Sequence, residues 1–340
     1  MTVAESRWVG DPAIPWNILV AVDLDLPPTR DMLLERLAGI CRPLGWRQPG
    51  PEAVIESDTP SALLPRLAAS TDLDLPVTIG RTPAGLVIRG QHRSVDGLGM
   101  LALVRDLTGV PVSAGARGVP PATAGTAPAR ALFDRLVEVT VRPQSVVAKS
   151  AIEPTADDVF ASTTIAGSPR TADLVLAGAR AISGWNGTAD RRHRTSIAVG
   201  VSTVGGARLE VADHSGFLRL DRVERLSREQ IGDALTTAPL QVGGSRPGSD
   251  NPFVAAAVRT AVRLFSARLG STLLVSHLGR VRAPGLASCA FYPVTGGGSG
   301  LSLGAATVDD RTTLTMRARG RRHSTEGLER LLETLRAELS

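Results

Sequence analysis

The chain has 340 residues, 43% of them hydrophobic and only 3% aromatic, with a single Tyr and a formal net charge of +5. This length suits two domains of about 150 residues or one large α/β unit, and so few aromatic rings disfavour a stacking platform for single-stranded nucleic acid. No basic start with an apolar core and no run of about 18 apolar residues occurs, which disfavours secretion and a membrane span.

The basic balance comes from scattered arginines, with clusters only at Arg191-Arg192-His193-Arg194 and from Arg317 to Arg322. Such a surface suits an acidic protein partner or a phosphate-bearing ligand ahead of nucleic acid, the other reading being a solvated face. Cys41 and Cys289 lack metal-type spacing and read as buried thiols of a reducing cytoplasm. No metal site is expected.

In chain order, residues 17–26 (NILVAVDLDL) end in a strand-like alternation of Val22, Leu24 and Leu26, stopped by Pro27-Pro28. Thr29 is placed to N-cap a helix carrying Leu33, Leu34, Leu37, Ala38 and Cys41 on one side. A second helix is expected over 61–69. Residues 77–80 and 86–90 then form a hairpin around Arg81-Thr82-Pro83-Ala84-Gly85.

Where that hairpin ends comes Gln91-His92-Arg93-Ser94-Val95-Asp96-Gly97. A mostly apolar helix follows, with Leu98, Leu101, Ala102, Leu103, Val104 and Leu107, and Asp96 falls in its first turn, where the helix dipole favours a carboxylate. Strand, His loop and buried helix together present an imidazole at the end of a sheet. His92 reads either as a general base or as a structural histidine at the strand end.

Residues 109–129 are dominated by Gly, Pro, Ala, Ser and Thr and form the best linker candidate. Helices are expected over 130–141, 171–185 and 252–269, and strands over 196–204 and 216–220. Residues 273–275 form a strand running into Ser276-His277-Leu278-Gly279. The end of the chain reads as strands over 301–306 and 312–318, then a helix over 324–339 with Leu328, Leu331, Leu332, Leu335 and Leu339 as its core stripe. His193, His214 and His323 lie in polar surroundings and read as surface residues. Gly296-Gly297-Gly298-Ser299-Gly300 has no Lys-Ser/Thr after it and reads as a loop at a cleft mouth rather than a phosphate cradle.

With these elements laid out, the chain resembles the superfamily of condensation domains of nonribosomal peptide synthetases, wax ester synthases, polyketide-associated acyltransferases and chloramphenicol acetyltransferase. Four stretches carry the likeness: NILVAVDLDLPPTRDMLLERL is similar to the first strand-helix pair, QHRSVDG to the His-His-x-x-x-Asp-Gly motif, TADLVLAGARAISGW with TSIAVGVS to the start of the second half, and LLVSHLGRV to a Ser-Asn-Leu-Gly segment. Gln91 stands for the first His and His277 for the Asn. The chain is also short and lacks the late motifs, so a freestanding transferase is a better match than a peptide-bond-forming condensation domain.

The resemblance implies a two-lobed α/β fold of the chloramphenicol acetyltransferase type, with lobes over 1–125 and 126–340 and a central cleft. It implies catalytic roles for His92, Asp96 and Gly97, His92 being the general base. Asp96 would turn away from substrate and pair with an arginine, Arg280 being the candidate, while Gly97 would let the backbone turn. Gln91, Ser276, His277 and Gly279 would contact substrate, although His277 also reads as a strand-end residue. The donor would be acyl-CoA or a phosphopantetheinyl carrier protein, with no bound cofactor, and the acceptor a hydroxyl or amine. Two rivals stand beside this: a docking protein that has lost transfer, and the same cleft catalysing cyclisation, dehydration or epimerisation of a tethered intermediate.

Overall fold

A computed structural model describes residues 16–72, 74–119, 144–187, 194–242, 271–295 and 300–340. The helices expected over 130–141 and 252–269, the lobe boundary at 125/126, the loop at 296–299 and His193 lie outside the described residues. Among the described residues no helix is long and apolar enough to cross a membrane.

The first half builds β1 (Asn17–Leu24), α1 (Arg30–Leu44), β2 (Val54–Glu56), α2 (Pro60–Ala68), β3 (Val77–Thr82), β4 (Gly85–Gln91), α3 (Gly97–Thr108) and the short β5 (Ser113–Ala114). Thr29 does cap α1, accepting from Met32 N at 3.3 Å, and Gly45 closes the helix in the left-handed region. The second half builds β6 (Asp158–Ala166), α4 (Thr171–Asn186), β7 (Ser196–Ser202), β8 (Ser215–Asp221), α5 (Arg228–Thr237), β9 (Gln241–Val242), β10 (Leu273–Arg282), β11 (Leu286–Tyr292), β12 (Leu301–Val308), β13 (Arg311–Arg319) and α6 (Thr325–Leu339).

Two sheets result. The first has the order β11-β1-β4-β3-β2, and the second β6-β13-β12-β10-β7-β8-β9, with β5 added to the end of β10. β11 comes from late in the chain, yet it pairs antiparallel with β1, Leu19 opposite Tyr292 and Val22 opposite Cys289. The run NILVAV is apolar on successive residues because β1 is covered on both faces. Ile18, Val20 and Val22 join the core beneath α1 and α3, whereas Leu19 packs with Leu63 and Leu67 of α2.

The second sheet is covered by α4 and α6. Leu174, Val175 and Ile182 of α4 and Leu328, Leu331, Leu332 and Leu335 of α6 are buried against β7, β10, β12 and β13. Each fully buried Leu contributes about 1.5–3 kcal/mol.

A buried polar link ties the two sheets together. Arg317 of β13 donates to Asp158 of β6 at 2.7 Å and to the main-chain oxygen of Asn17 in β1 at 2.6 Å. The side-chain oxygen of Asn17 accepts from Arg89 at 3.0 Å. Arg317 is therefore not part of a solvated basic cluster: it is 1% exposed.

The stretch read as a linker is described over its first part. Residues 109–119 are stitched down by Gly115 N to Arg280 O at 2.8 Å and Val119 N to Ser202 O at 2.9 Å. Small residues let this backbone lie close to β10: a Cβ on Gly115 would come within 3.3 Å of Arg280 N.

Candidate active site

The His92 loop is fixed from three directions. Its amide donates to Trp16 O at 2.7 Å, just ahead of β1, and Ser94 N and Val95 N return to Gln91 O at 2.8 and 3.1 Å. Val95 is fully buried and anchors the turn. The ring of His92 then folds over its own loop, Nδ1 lying 3.2 Å from Val95 O. A carbonyl oxygen only accepts, so Nδ1 carries the proton and Nε2 the basic lone pair.

Asp96 is the N-cap of α3. Its Oδ1 accepts from Gly99 N at 2.7 Å, and its Oδ2 accepts from Ser202 Oγ at 3.1 Å and His214 N at 3.2 Å. The first bond caps the helix, while the other two fasten it to the end of β7 and the start of β8. Asp96 N reinforces the junction by donating to Ala212 O at 3.0 Å. Burial pushes the carboxyl upward and nearby Asp213 adds to this, whereas the Gly99, Ser202 and His214 donors pull it back.

The expected pair with Arg280 is not formed. Arg280 turns outward to Asp309 O at 2.9 Å and Asp310 at 3.6 Å. The carboxylate is balanced by N–H and O–H donors, which is sufficient at a helix N-terminus, where main-chain amides are already unsatisfied.

Gly97 opens α3 in ordinary helical geometry, so a turn is not what requires it. A Cβ there would approach Leu278 Cδ2 at 2.8 Å and Phe291 Cζ at 3.2 Å. Gly279 does need its conformation: its φ is +72°, and a Cβ would meet Ala116 N at 3.0 Å. It lies within the register shift between His277 and Arg280 where β10 runs beside β12.

β7 and β10 run parallel and are paired as far as Gly200 and Ser276, with no pairing between them beyond. A cavity of about 1110 Å³ opens at this divergence. It lies towards the carboxyl ends of parallel strands, where open α/β sheets place their ligands. His92, Asp96 and Gly97 line it from the first half, and Ser202, Ser276, His277 and Gly279 from the second.

Of the expected substrate contacts, Gln91 is not brought there among the described residues. It is 6% exposed at the end of β4, paired opposite Asn17.

His277 bonds through Nδ1 to Thr171 Oγ1 at 3.1 Å, at the first turn of α4. Its Nε2 is buried with no hydrogen-bond partner among the described residues. Burial lowers its pKa to about 4, so the ring is neutral at ordinary pH and poor as a base. It is suited instead to hydrogen bonding with a ligand.

His323, read as a surface residue, is also buried, at 2% exposure between β13 and α6, and its pKa falls to about 4 through burial and the Arg322 charge. Sequence reasoning missed Thr171 and Ser202; both stand at element ends, and nothing in their neighbours marks them. Both cysteines are buried as expected.

No family model matches the chain, and neither does any curated protein. Solved structures do. A starter condensation domain of rhizomide synthetase, in complex with C8-CoA and Leu-SNAC, superposes with a TM-score of 0.57 at 13% identity, over 96% of this chain and 89% of that one. The epimerization domain from the third module of tyrocidine synthetase B gives 0.51 at 12% identity, over 96% and 91%. The cyclization-docking bidomain from Sorangium cellulosum gives 0.50 at 13%, over 96% and 80%. With two sheets meeting at a cleft that holds the His92 loop, and with 96% of the chain aligned to each of these domains, the chain has the two-lobed fold of condensation domains.

Proposed function

We propose that the protein is an acyltransferase that moves an acyl group from a CoA or carrier-protein thioester to a hydroxyl or amine acceptor, with His92 as general base. The observation that carries this reading is the His92 ring itself: it lines the cavity, and Val95 O holds Nδ1 protonated, leaving Nε2 as the nitrogen that can take a proton.

The acceptor's O–H or N–H gives its proton to Nε2 as the oxygen or nitrogen attacks the thioester carbonyl carbon. The tetrahedral intermediate collapses by breaking the C–S bond, and the departing thiolate recovers the proton from His92. The products are an ester or amide and a free thiol, with no covalent enzyme intermediate. A positioned base of this kind typically contributes 10²–10⁴-fold. Asp96 and Gly97 act indirectly: one locks the α3 turn to β7 and β8, and the other lets that turn pack against Leu278 and Phe291.

An epimerization domain and a cyclization bidomain superpose about as well as condensation domains do, which keeps a second reading, another reaction of a tethered intermediate in the same cleft. Free-thiol release from a panel of acyl-CoA and acyl-carrier thioesters, with and without hydroxyl and amine acceptors, separates the two. Acyl transfer gives acceptor-dependent thiol release and a product heavier than the acceptor by the acyl group. Epimerisation or dehydration of a tethered intermediate releases no thiol, and a wild type silent across the panel overturns the proposal.

A further inference from the structure

The guanidinium of Arg317 reaches past its own carboxylate partner. Nε and Nη2 both meet Asp158 Oδ2 at 2.7 Å, and Nη1 donates to two main-chain oxygens, Asn17 O at 2.6 Å and Pro293 O at 3.4 Å. Asn17 opens β1, and Pro293 follows directly on β11. Asn17 stands between Trp16 and Ile18, which line the cavity, and Pro293 and Val294 line it as well.

Asn17 is a buried hub. It is 1% exposed, its Oδ1 accepts from Arg89 at 3.0 Å, and its Nδ2 donates to Ala68 O at 2.9 Å and Ser70 O at 2.7 Å, so both amide hydrogens are used. The residue before it, Trp16, receives the His92 amide at 2.7 Å, and Asn17 itself pairs opposite Gln91. The carbonyl that anchors His92 is therefore one peptide away from the carbonyl that Arg317 holds.

The same cluster fixes a second stretch of the cavity wall. Ser302 Oγ donates to Pro293 O at 3.2 Å, and Thr295 Oγ1 donates to Asp158 at 3.3 Å. Arg319 donates to Asp158 at 3.2 Å and to Thr295 O at 3.3 Å. The ring of Phe160 lies against the Arg317 guanidinium, 5.6 Å from centroid to Cζ. A planar fork of five donors can hold a carboxylate and two carbonyls at once, which the point charge of a lysine does not reproduce.

We propose that Arg317 is a positioning residue for His92: by tying Asn17 O and Pro293 O to Asp158, it sets where the His92 loop stands relative to the cavity wall at residues 293–294. The inference rests on the acyl-transfer reading, in which His92 Nε2 must meet the acceptor proton of a substrate held by the rest of the cavity. Misplacing such a base by about 1 Å costs on the order of 10²-fold in rate, so the clamp acts on turnover as well as on the fold.

The test is the double substitution Asp158→Asn/Arg317→Met. Removing both members of a buried pair together avoids the stranded charge that removing one leaves, and the new amide oxygen can still accept from Thr295 and Arg319. Leu339→Ala, a packing change at the end of α6 outside the cavity lining, is the control. Acceptor-dependent thiol release is measured at equal folded fraction. In parallel, the His92 ring signal is followed by NMR with isotope-labelled histidine and assigned by its loss in His92→Ala. The double variant should show kcat about 10²-fold lower, KM little changed and a shifted His92 signal, with none of these changes in Leu339→Ala. An unchanged kcat, a loss expressed only in KM, an unmoved His92 signal, or the same changes in the control overturns the proposal. Should the double variant not fold, Arg317→Lys, which keeps the charge beside Asp158 and loses the fork, takes its place with the same expectations.

If the wild type releases no thiol with any donor, it is the transfer reading that fails, and the His92 signal alone decides the clamp. A shift confined to the Arg317 variant sustains it, and superimposable spectra overturn it.

Discussion

Substituting Asp96 separates a helix cap from a buried ion pair. The carboxylate is 3% exposed and receives hydrogen bonds from Gly99 N, Ser202 Oγ and His214 N at 2.7, 3.1 and 3.2 Å. Asp96→Ala removes the cap, worth about 0.5–2 kcal/mol, and strands the His214 amide at about 1–3 kcal/mol for a buried donor, so a total of about 1.5–5 kcal/mol is expected. Asp96→Asn keeps an oxygen for Gly99 N, and the Ser202 hydroxyl can turn to accept from the new amide. Only the His214 bond is lost, and the cost of burying a charge disappears, which leaves about 1–2 kcal/mol. A buried ion pair would behave differently, because neutralising its anion strands a cation at about 3–5 kcal/mol. Arg280→Gln should cost below about 1 kcal/mol, since its pair with Asp310 is open to solvent. Urea unfolding of the three variants gives the comparison. An Asn variant as unstable as the Ala variant, or Arg280→Gln matching either, would refute the cap.

Stability should fall on acidification below pH 6.5. His277 and His323 each have a folded pKa of about 4 against 6.5 when free, so the unfolded chain takes up protons first, and each costs on the order of 2 kcal/mol between pH 7 and pH 5. Denaturation midpoints across that range, with His323→Phe losing part of the dependence, check this; a flat profile contradicts it. Cys41 and Cys289 should not react with a thiol reagent until the protein unfolds, because both are buried and the Cys289 thiol is pushed up to about 12; prompt labelling of the native protein would contradict their burial. Asp158→Ala should destabilise by about 3–5 kcal/mol, because it leaves Arg317 charged and 1% exposed; a loss under 1 kcal/mol would show that the link between the sheets contributes little.

The sequence carried most of the second-sheet elements, because β7, α4 and α6 have unbroken apolar patterns and α6 a recognisable Ser324 cap. It also carried the His92 loop, whose strand-turn-helix context is local. What it did not carry were partners decided by topology. The return of β11 to the edge of β1, the engagement of Asp96 by Ser202 and His214 instead of Arg280, and the burial of Arg317 against Asp158 all join residues more than a hundred positions apart. No local pattern encodes them. α5 was missed because only Ile231 on it is buried, so it shows almost no apolar stripe. His323 was misjudged because its polar sequence neighbours are themselves engaged in the fold, Arg322 on Val147 O and Ser324 as the cap of α6.

The most direct test of His92 as the base is the rate of acceptor-dependent thiol release by wild type and by His92→Ala at equal folded fraction, using the best donor and acceptor from the panel. The account predicts a fall of about 10²–10⁴-fold in kcat/KM, with an unchanged urea midpoint. A variant that retains wild-type turnover would contradict it.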